Sequence, residues 1–310
     1  MDILITGAAG FVGRNTILAL RKEHNLVVAF RSGDDFSRWC RACDVPSPRQ
    51  CDLSDPDSVA AAFAVDERFD AVVHLAANGD PAASVPHPAM DLRSGALSLV
   101  TLFERIHPGR LIYFSSGAVY EGHRGVVNPA LPLSPTLPYA INKVACEAYT
   151  RALCERLRRI DEYVIVRFFG AFGPYEPARK IYTKLVRAFA FDRQTEFAVR
   201  GDGRNLIDAM YVADTVTAIR KLLTAPVAGQ TVDLASGQPL AINELVQRAA
   251  ACFGVASPRI VHEGVVPEYN QFRADTARTE RMLGFRPETP LEAGLQRLAE
   301  HLRGQERADE

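Results

Sequence analysis

The chain has 310 residues, of which 47% are apolar and 24% charged, and its formal net charge is -1. This composition is typical of a globular protein with one large or two smaller packed units. Because the basic residues are scattered, we expect neither nucleic acid nor a membrane to be a partner. No apolar run approaches the roughly 18 residues of a transmembrane helix, and a strand follows Met1 almost directly, so we expect a cytoplasmic protein.

The cysteines do not form the pattern of a disulfide framework or a metal site. Cys40 and Cys43 form a C-x-x-C pair, but no second pair follows at the spacing of metal ligands. We therefore expect reduced thiols and no bound metal. The cysteines of the chain are Cys40, Cys43, Cys51, Cys146, Cys154 and Cys252.

Short apolar runs alternate with helical patterns through the first half of the chain. The runs are rich in β-branched residues and apolar on both faces, as in parallel strands buried between helix layers. This alternation predicts an α/β fold with a Rossmann-type, doubly wound parallel sheet. The predicted strands are residues 3–5, 26–30, 71–75, 111–114 and 163–166, and the predicted helices are 14–22, 59–63, 96–106 and 139–158.

The rhythm breaks after Arg167, where glycines and prolines mark an irregular stretch over residues 170–177. We place the entry into a smaller C-terminal substrate-binding lobe there. Residues 231–234 form a further apolar run that can rejoin the main sheet. The predicted organisation is a dinucleotide-binding domain over 1–166, rejoined by about 205–235, a substrate lobe over 167–204 and 236–303, and a polar tail over 304–310 that frays.

A glycine-rich turn, with Gly7, Gly10 and Gly13, directly follows the first apolar strand and opens a helix. Glycines permit a tight turn and close backbone approach, and the helix N-terminus offers free N–H groups to a pyrophosphate. The alternative, a tight turn without a ligand, is disfavoured by this strand-turn-helix context. The turn therefore predicts a dinucleotide site.

The end of the second strand indicates which dinucleotide binds. NAD sites ordinarily place a carboxylate there for the ribose hydroxyls, whereas NADP sites accept the 2′-phosphate with an arginine. Here Arg31 and Ser32 stand at that end. We favour NADP(H), with NAD(H) possible and a solvated loop arginine as the alternative interpretation.

Tyr139 and Lys143 lie four residues apart and so share one face of a predicted helix. A nearby ammonium stabilises a phenolate, so such a tyrosine can pass protons to and from a hydroxyl of the substrate. Ser115 and Ser116 lie upstream and offer a hydroxyl for the same substrate oxygen. The alternative interpretation is that the tyrosine and the lysine have this spacing by chance and both face solvent on a helix.

Four motifs occur together and in order: the glycine-rich turn, residues 74–77, residues 115–120, and Tyr139-x-x-x-Lys143. With this series the chain resembles the extended short-chain dehydrogenase/reductases, specifically the nucleotide-sugar epimerase/dehydratase group, over nearly its whole length. The resemblance implies that Tyr139 is the acid/base, that Lys143 assists it and holds the nicotinamide ribose, and that Ser116 bonds the reacting oxygen. It implies cofactor contacts at Gly7, Gly10, Phe11, Val12, Gly13, Arg31, Ser32, Asp52, Leu53, Leu75, Ala76, Ala77, Tyr139 and Lys143.

The chain departs from that family's pattern in three places. Gly117-Ala118 stands where dehydratases carry an Asp-Glu pair, which disfavours dehydration. Gly170 and Ile207 replace an asparagine and an arginine, so other groups must bind the diphosphate. The candidate substrate contacts are Asn78, Ser84, Ser115, Gly117, Arg179, Lys180, Arg204 and Arg273.

One histidine and one cysteine are expected to be structural. His74 lies inside a buried apolar strand, and Cys146 lies two turns beyond Tyr139 on the same helix, where a free cysteine packs as a small hydrophobe.

The resemblance and these departures leave three functions open. The leading one is NADPH-dependent reduction of a 4-keto-6-deoxy sugar nucleotide at C4. The alternatives are a 4-epimerase that retains NAD and, from another class, an inactive dinucleotide-binding or sensor protein. The expected partner is a nucleotide-diphosphate sugar, and the resemblance implies a homodimer built from the helices at 96–106 and 139–158.

Overall fold

Seven parallel strands form the central sheet of the computed structural model, which describes residues 1–45, 47–265 and 270–309. Within those residues the strands are β1 (Asp2–Thr6), β2 (Asn25–Phe30), β3 (Pro48–Gln50), β4 (Glu67–His74), β5 (Ile106–Ser116), β6 (Arg124–Val127), β7 (Glu162–Phe168), β8 (Ala171–Phe172), β9 (Glu196–Arg200), β10 (Leu206–Ile207), β11 (Met210–Tyr211), β12 (Gln230–Leu234), β13 (Leu240–Ala241), β14 (Arg259–Glu263) and β15 (Gln271–Ala274). The sheet order is β12-β7-β5-β4-β1-β2-β3, and every neighbouring pair is parallel.

Helices cover both faces of this sheet and build the second lobe. They are α1 (Phe11–Leu20), α2 (Asp34–Ala42), α3 (Pro56–Ala62), α4 (Pro88–Leu92), α5 (Ser98–Arg105), α6 (Pro138–Glu155), α7 (Ile181–Val186), α8 (Val212–Leu222), α9 (Ile242–Cys252), α10 (Thr276–Leu283) and α11 (Leu291–Asp309). A π-helical turn, Arg93–Leu97, joins α4 to α5. No described helix is both long and apolar enough to cross a bilayer.

The central strands are apolar on both sides because each side packs a different helix layer. Ile3 and Ile5 of β1 contribute to the core cluster shared with α1 and α8, whereas Leu4 contributes to the cluster shared with α3, α5 and α6. This strict alternation is the period of two expected for a strand. The predicted doubly wound α/β fold is confirmed.

The second lobe has its own core, built from α7, α9 and α11 around Phe172, Phe189, Leu245 and Leu298. Small two-stranded units complete it, including the parallel pair β9 and β14. The chain returns to the central sheet at β12, where Val232 pairs with Val166 of β7.

One helix was not predicted from the sequence. Helix α2 begins at Asp34, and its Phe36 packs on Phe30 with ring centroids 4.9 Å apart. In the predicted polar tail, residues 304–309 continue α11, and Arg187 pairs with Glu306. Glu310 lies outside the described residues.

A buried ion pair fixes α6 against the sheet. Glu147 of α6 is 1% exposed and Arg167 of β7 is 3% exposed. Two hydrogen bonds of 2.9 and 2.8 Å join the guanidinium to the carboxylate. Ser115 donates to the same carboxylate, and Arg167 donates to the hydroxyl of Tyr120. Because their hydrogen-bonding capacity is met, these charges tolerate burial. Tyr120 in turn donates to Asp233 of β12, whose burial raises its pKa to about 7.

Removing one charge of this pair should destabilise the protein strongly. Arg167→Met leaves the buried Glu147 carboxylate with only the Ser115 hydroxyl and the longer 3.4 Å contact to Arg151, so we expect the free energy of unfolding to fall by about 3–5 kcal/mol in urea titrations. Arg259→Met, at an exposed pair with Glu196, is the matched control and should leave stability within error of the parent. Equal effects of the two substitutions would contradict the structural importance of the buried pair.

Candidate active site

The glycine-rich turn is packed directly against the end of β4. Gly7 has a φ of +64°, and a Cβ there would lie 2.7 Å from the backbone nitrogen of Ala76. A Cβ on Gly13 would lie 2.6 Å from the carbonyl oxygen of Gly7. Glycine is therefore required for both conformation and contact.

The turn leads into the N-terminus of α1, where Gly10 supplies no side-chain cap. Backbone N–H groups at such an end bind anions, so the turn fits the pyrophosphate of a dinucleotide. The other predicted cofactor residues near the turn are half-buried around it. They are Phe11 and Val12 at the start of α1, and Leu75, Ala76 and Ala77 just after β4.

A positively charged edge lies beside the predicted adenosine site. Arg31 and Ser32 are exposed just beyond β2, and Leu53 is buried beside the neighbouring Asp52. The backbone N–H and hydroxyl of Ser54 both donate to the Asp52 carboxylate, at 2.9 and 2.7 Å. These hydrogen bonds chiefly lower the pKa of Asp52.

Arg31 and Arg93 add positive charge that lowers the pKa of Asp52 further. Sequence reasoning missed Arg93, which is exposed at the start of the π-helical turn. Its distance along the chain from Asp52 left no local signal.

The predicted catalytic residues meet where β5 ends beside α6. Lys143 is 6% exposed, and its Nζ donates to the carbonyl oxygen of Phe114 at 2.8 Å. The same Nζ lies 5.9 Å from the ring centroid of the half-buried Tyr139. Ser116 is the last residue of β5, and its Oγ accepts a hydrogen bond from the backbone N–H of Ala118. The ammonium, the phenol and the serine hydroxyl thus share one region.

The residues behind this site are structural. His74 is buried, and desolvation together with the nearby Lys143 lowers its pKa to about 3, so the imidazole is neutral at physiological pH. Its Nδ1 lies 3.0 Å from the hydroxyl of Thr6. Cys146 is buried in the core, and burial raises the pKa of its thiol. Ser115 is buried and bonded to Glu147 rather than aimed outward.

Two candidate sugar contacts are engaged within the protein. The amide nitrogen of Asn78 donates to the carbonyl of Asp80 and to the carboxylate of Asp91. Ser84 is fully buried, donating to the carbonyl of Pro81 and accepting from the backbone N–H of Tyr139. Both side chains therefore organise the loop that follows β4.

Two candidate phosphate ligands bridge the lobes. Arg179 forms an ion pair with Asp80 at 3.4 Å, and Lys180 donates to the carbonyl of Gly79 at 3.3 Å. Both cations are exposed and border the loop after β4. Arg204 is also exposed and pairs with Asp202, and Arg273 is exposed on β15, which pairs with β6.

Gly117 lies beneath an aromatic ring. A Cβ at this position would lie 3.0 Å from Cγ of Phe169, so a side chain at residue 117 would require that ring to shift slightly. The chain offers no acid here. Among the described residues, no cluster of three or more histidine, cysteine or acidic side chains could hold a metal ion.

Substitution of Gly7 tests the turn. Gly7→Ala introduces both backbone strain and a collision with Ala76, so we expect dinucleotide affinity, measured by calorimetry, to fall at least about tenfold. Gly254→Ala is the matched control, since Gly254 has a φ of +84° but no atom within 4 Å of its Cβ position. Unchanged binding by Gly7→Ala would exclude this turn as the dinucleotide site.

The chain is similar in sequence and fold to known proteins. A GDP-6-deoxy-D-mannose reductase of Pseudomonas aeruginosa is 27% identical over 94% of this chain and 94% of its own length. The structure of MoeE5 with UDP-glucose and NAD is 25% identical, with a TM-score of 0.83 over 98% of this chain and 99% of MoeE5.

A third comparison involves a different cofactor. The structure of RMD from Pseudomonas aeruginosa with NADPH is 24% identical, with a TM-score of 0.81 over 98% of this chain and 99% of RMD. Members of the matched family are enzymes of nucleotide-sugar oxidoreduction and epimerisation. Residues 3–235 match the family described as NAD dependent epimerase/dehydratase, and the chain belongs to that family.

Proposed function

We propose that this protein reduces the 4-keto group of a nucleotide-diphosphate 4-keto-6-deoxy sugar with NADPH. One observation carries the choice among the family's reactions. Lys143 lies beside the Tyr139 ring near the end of β5, where Ser116 stands, while residue 117, at which the dehydratases that the chain resembles carry an acidic side chain, is a glycine packed under Phe169. Proton transfer at a single carbon remains.

The chain's own groups divide the chemistry at C4. Tyr139 donates a proton from its phenol to the C4 oxygen as that oxygen gains charge. Lys143, held by the Phe114 carbonyl, keeps a positive charge beside the phenol. Ser116 holds the same oxygen by a hydrogen bond. The nicotinamide, when bound, supplies the hydride.

The preference for NADPH depends on the charge beside the adenosine site. Arg31 and Arg93 both add positive charge that lowers the pKa of Asp52, and a positively charged edge favours a cofactor with an additional phosphate. The RMD structure, which has a similar overall fold, contains NADPH.

We place the enzyme in the cytoplasm, where its cysteines, all free in the structure, stay reduced.

A 4-epimerase that retains NAD is the second candidate. The same three residues would serve it, and the MoeE5 structure holds NAD and UDP-glucose. Mass spectrometry of the denatured purified protein separates the two. Stoichiometric NAD(H) released on denaturation favours the epimerase, whereas an empty site favours a reductase with exchangeable NADPH.

The assembly proposed is a homodimer. Large apolar side chains are exposed on neighbouring parts of the helical face that includes α4, the π-helical turn and α6. Because these elements pack against one another, their exposed apolar side chains are typical of an interaction surface. The exposed residues are Met90, Leu92, Leu97, Ile141 and Tyr149.

Removing the phenol hydroxyl tests the catalytic assignment. The parent should consume NADPH, followed by its absorbance, with a member of a panel of 4-keto sugar nucleotides. Tyr139→Phe should lower kcat by about 10²–10⁴-fold, the usual contribution of general acid catalysis, with NADPH affinity retained. Unchanged turnover by Tyr139→Phe would remove Tyr139 from the mechanism, whereas a parent without turnover on any member of the panel would favour an inactive scaffold.

Replacing Arg31 tests the cofactor preference. Arg31→Ala should raise the KM for NADPH by about tenfold or more, as expected for a lost charge-assisted hydrogen bond, and leave the KM for NADH unchanged. Arg38→Ala removes a nearby exposed arginine that pairs with Asp35 and should change neither value. Equal changes for both cofactors in Arg31→Ala would exclude a 2′-phosphate contact.

A charge on the apolar face tests the dimer. Ile141→Asp buries a carboxylate at the proposed interface, so sedimentation should shift from a dimer toward a monomer. Val265→Asp, on an exposed apolar residue outside that face, should sediment as the parent does. A parent that sediments as a monomer would rule out the proposed assembly.

A further inference from the structure

A series of hydrogen-bonded polar side chains connects α6, which carries Tyr139 and Lys143, to the loop after β4. Asn142, which directly precedes Lys143, is 7% exposed, and its Nδ2 donates to the Oδ2 of Asp91 at 2.9 Å and to the carbonyl oxygen of Asp91 at 2.6 Å. Asp91 is 1% exposed, and its Oδ1 accepts from Asn78 at 2.9 Å. The carboxylate of Asp91 in α4 thus links the loop at Asn78 to Asn142 of α6.

Asn142 is held from both ends of its amide. While Nδ2 donates to Asp91, Oδ1 accepts from the backbone N–H of Ala96 at 3.1 Å. That N–H belongs to the π-helical turn Arg93–Leu97. A π-helical turn leaves its α-helical hydrogen-bonding pattern, and here the Asn142 amide supplies a partner.

The π-helical turn is shaped around this amide. A Cβ on Gly95 would lie 2.2 Å from Nδ2 of Asn142, so the amide occupies the space of any larger residue at 95. The first turn of α6 is also completed by the same region. Leu137 provides no side-chain cap, and Ser84 accepts a hydrogen bond from the N–H of Tyr139 instead.

We propose that Asn142 is a positioning residue, which through Asp91 fixes the orientation of Tyr139 and Lys143 relative to the loop that begins at Asn78. This rests on the proposed function for its effect on turnover. Tyr139, Asn142 and Lys143 lie within about one turn of helix, so a rotation of α6 that broke the Asn142 contacts would displace the phenol and the ammonium together. Small displacements of reacting groups cost large factors in rate.

An exchange of the two side chains tests this role. Asn142→Asp places two carboxylates against each other, whereas Asp91→Asn combined with Asn142→Asp restores one amide and one carboxylate in exchanged positions. Asn25→Asp is the matched control, because exposed Asn25 donates to exposed Asp2 at the same 2.9 Å. All variants are made in the full chain and compared well below their melting temperatures.

In the folded variants, Asn142→Asp should lower kcat about tenfold or more, with KM changed less than about threefold. The exchanged pair should raise kcat at least about threefold above Asn142→Asp, but not to the parent value, because the backbone carbonyl of residue 91 loses its donor. Asn25→Asp should match the parent. A lower melting temperature with unchanged kcat would reduce Asn142 to a purely structural residue, and failure of the exchanged pair to recover would overturn the pairing.

Hydrogen exchange of the protein without ligands separates this proposal from the proposed function. The amides at the start of α6 should exchange faster in Asn142→Asp and recover in the exchanged pair, whether or not a sugar nucleotide is turned over. Should Asn142→Asp not fold, Gly95→Ala displaces the same amide and should give the same faster exchange. Unchanged exchange in the folded variants would overturn the positioning role, whereas a parent without turnover would overturn only the reductase.

Discussion

The buried ion pair between Glu147 and Arg167 is the interaction on which the site depends. It joins the middle of α6 to β7, and its carboxylate also accepts from Ser115, the residue before Ser116. One pair of charges therefore fixes the helix that carries Tyr139 and the strand end that carries the serine. Isolated charges would be costly at this depth, but paired and fully hydrogen-bonded charges are tolerated and directional.

Polar groups in this protein have two separate roles according to burial. Buried ones, such as Asp91, Asn142 and Glu147, have their partners inside the fold and position the catalytic helix. Exposed cations such as Arg31 and Lys180 remain at the surface, where we propose that they contact the phosphates of the ligands.

Much of the fold followed from local sequence signals. The runs at residues 3–5 and 71–75 predicted buried strands because they are apolar on both faces. Gly7 predicted a tight turn, and the positive φ observed there is one that glycine readily adopts. Pairings between distant segments, such as β9 with β14, have no local signal. Helix α2 was missed because its charged start resembles a connection, and only packing of Phe36 against Phe30 shows its apolar face.

The site was predicted unevenly for the same reason. Tyr139 and Lys143 share a helix, so their spacing sufficed, whereas Asn142 and Asp91 meet only after folding. Asn78 and Ser84 were predicted to contact the sugar, whereas the hydrogen bonds that join them to Asp91 and to the N–H of Tyr139 have no local signal in the sequence.

The central claim, hydride delivery from a free nicotinamide cofactor to C4 of a keto sugar, is tested most directly by isotope transfer. The parent enzyme is supplied with NADPH deuterated on the transferred position and with a 4-keto-6-deoxy sugar nucleotide, and the product is analysed by mass spectrometry and NMR. We predict one deuterium at C4 of the product and one equivalent of NADP⁺. A product without deuterium, formed while the NADPH remains unconsumed, would contradict the account.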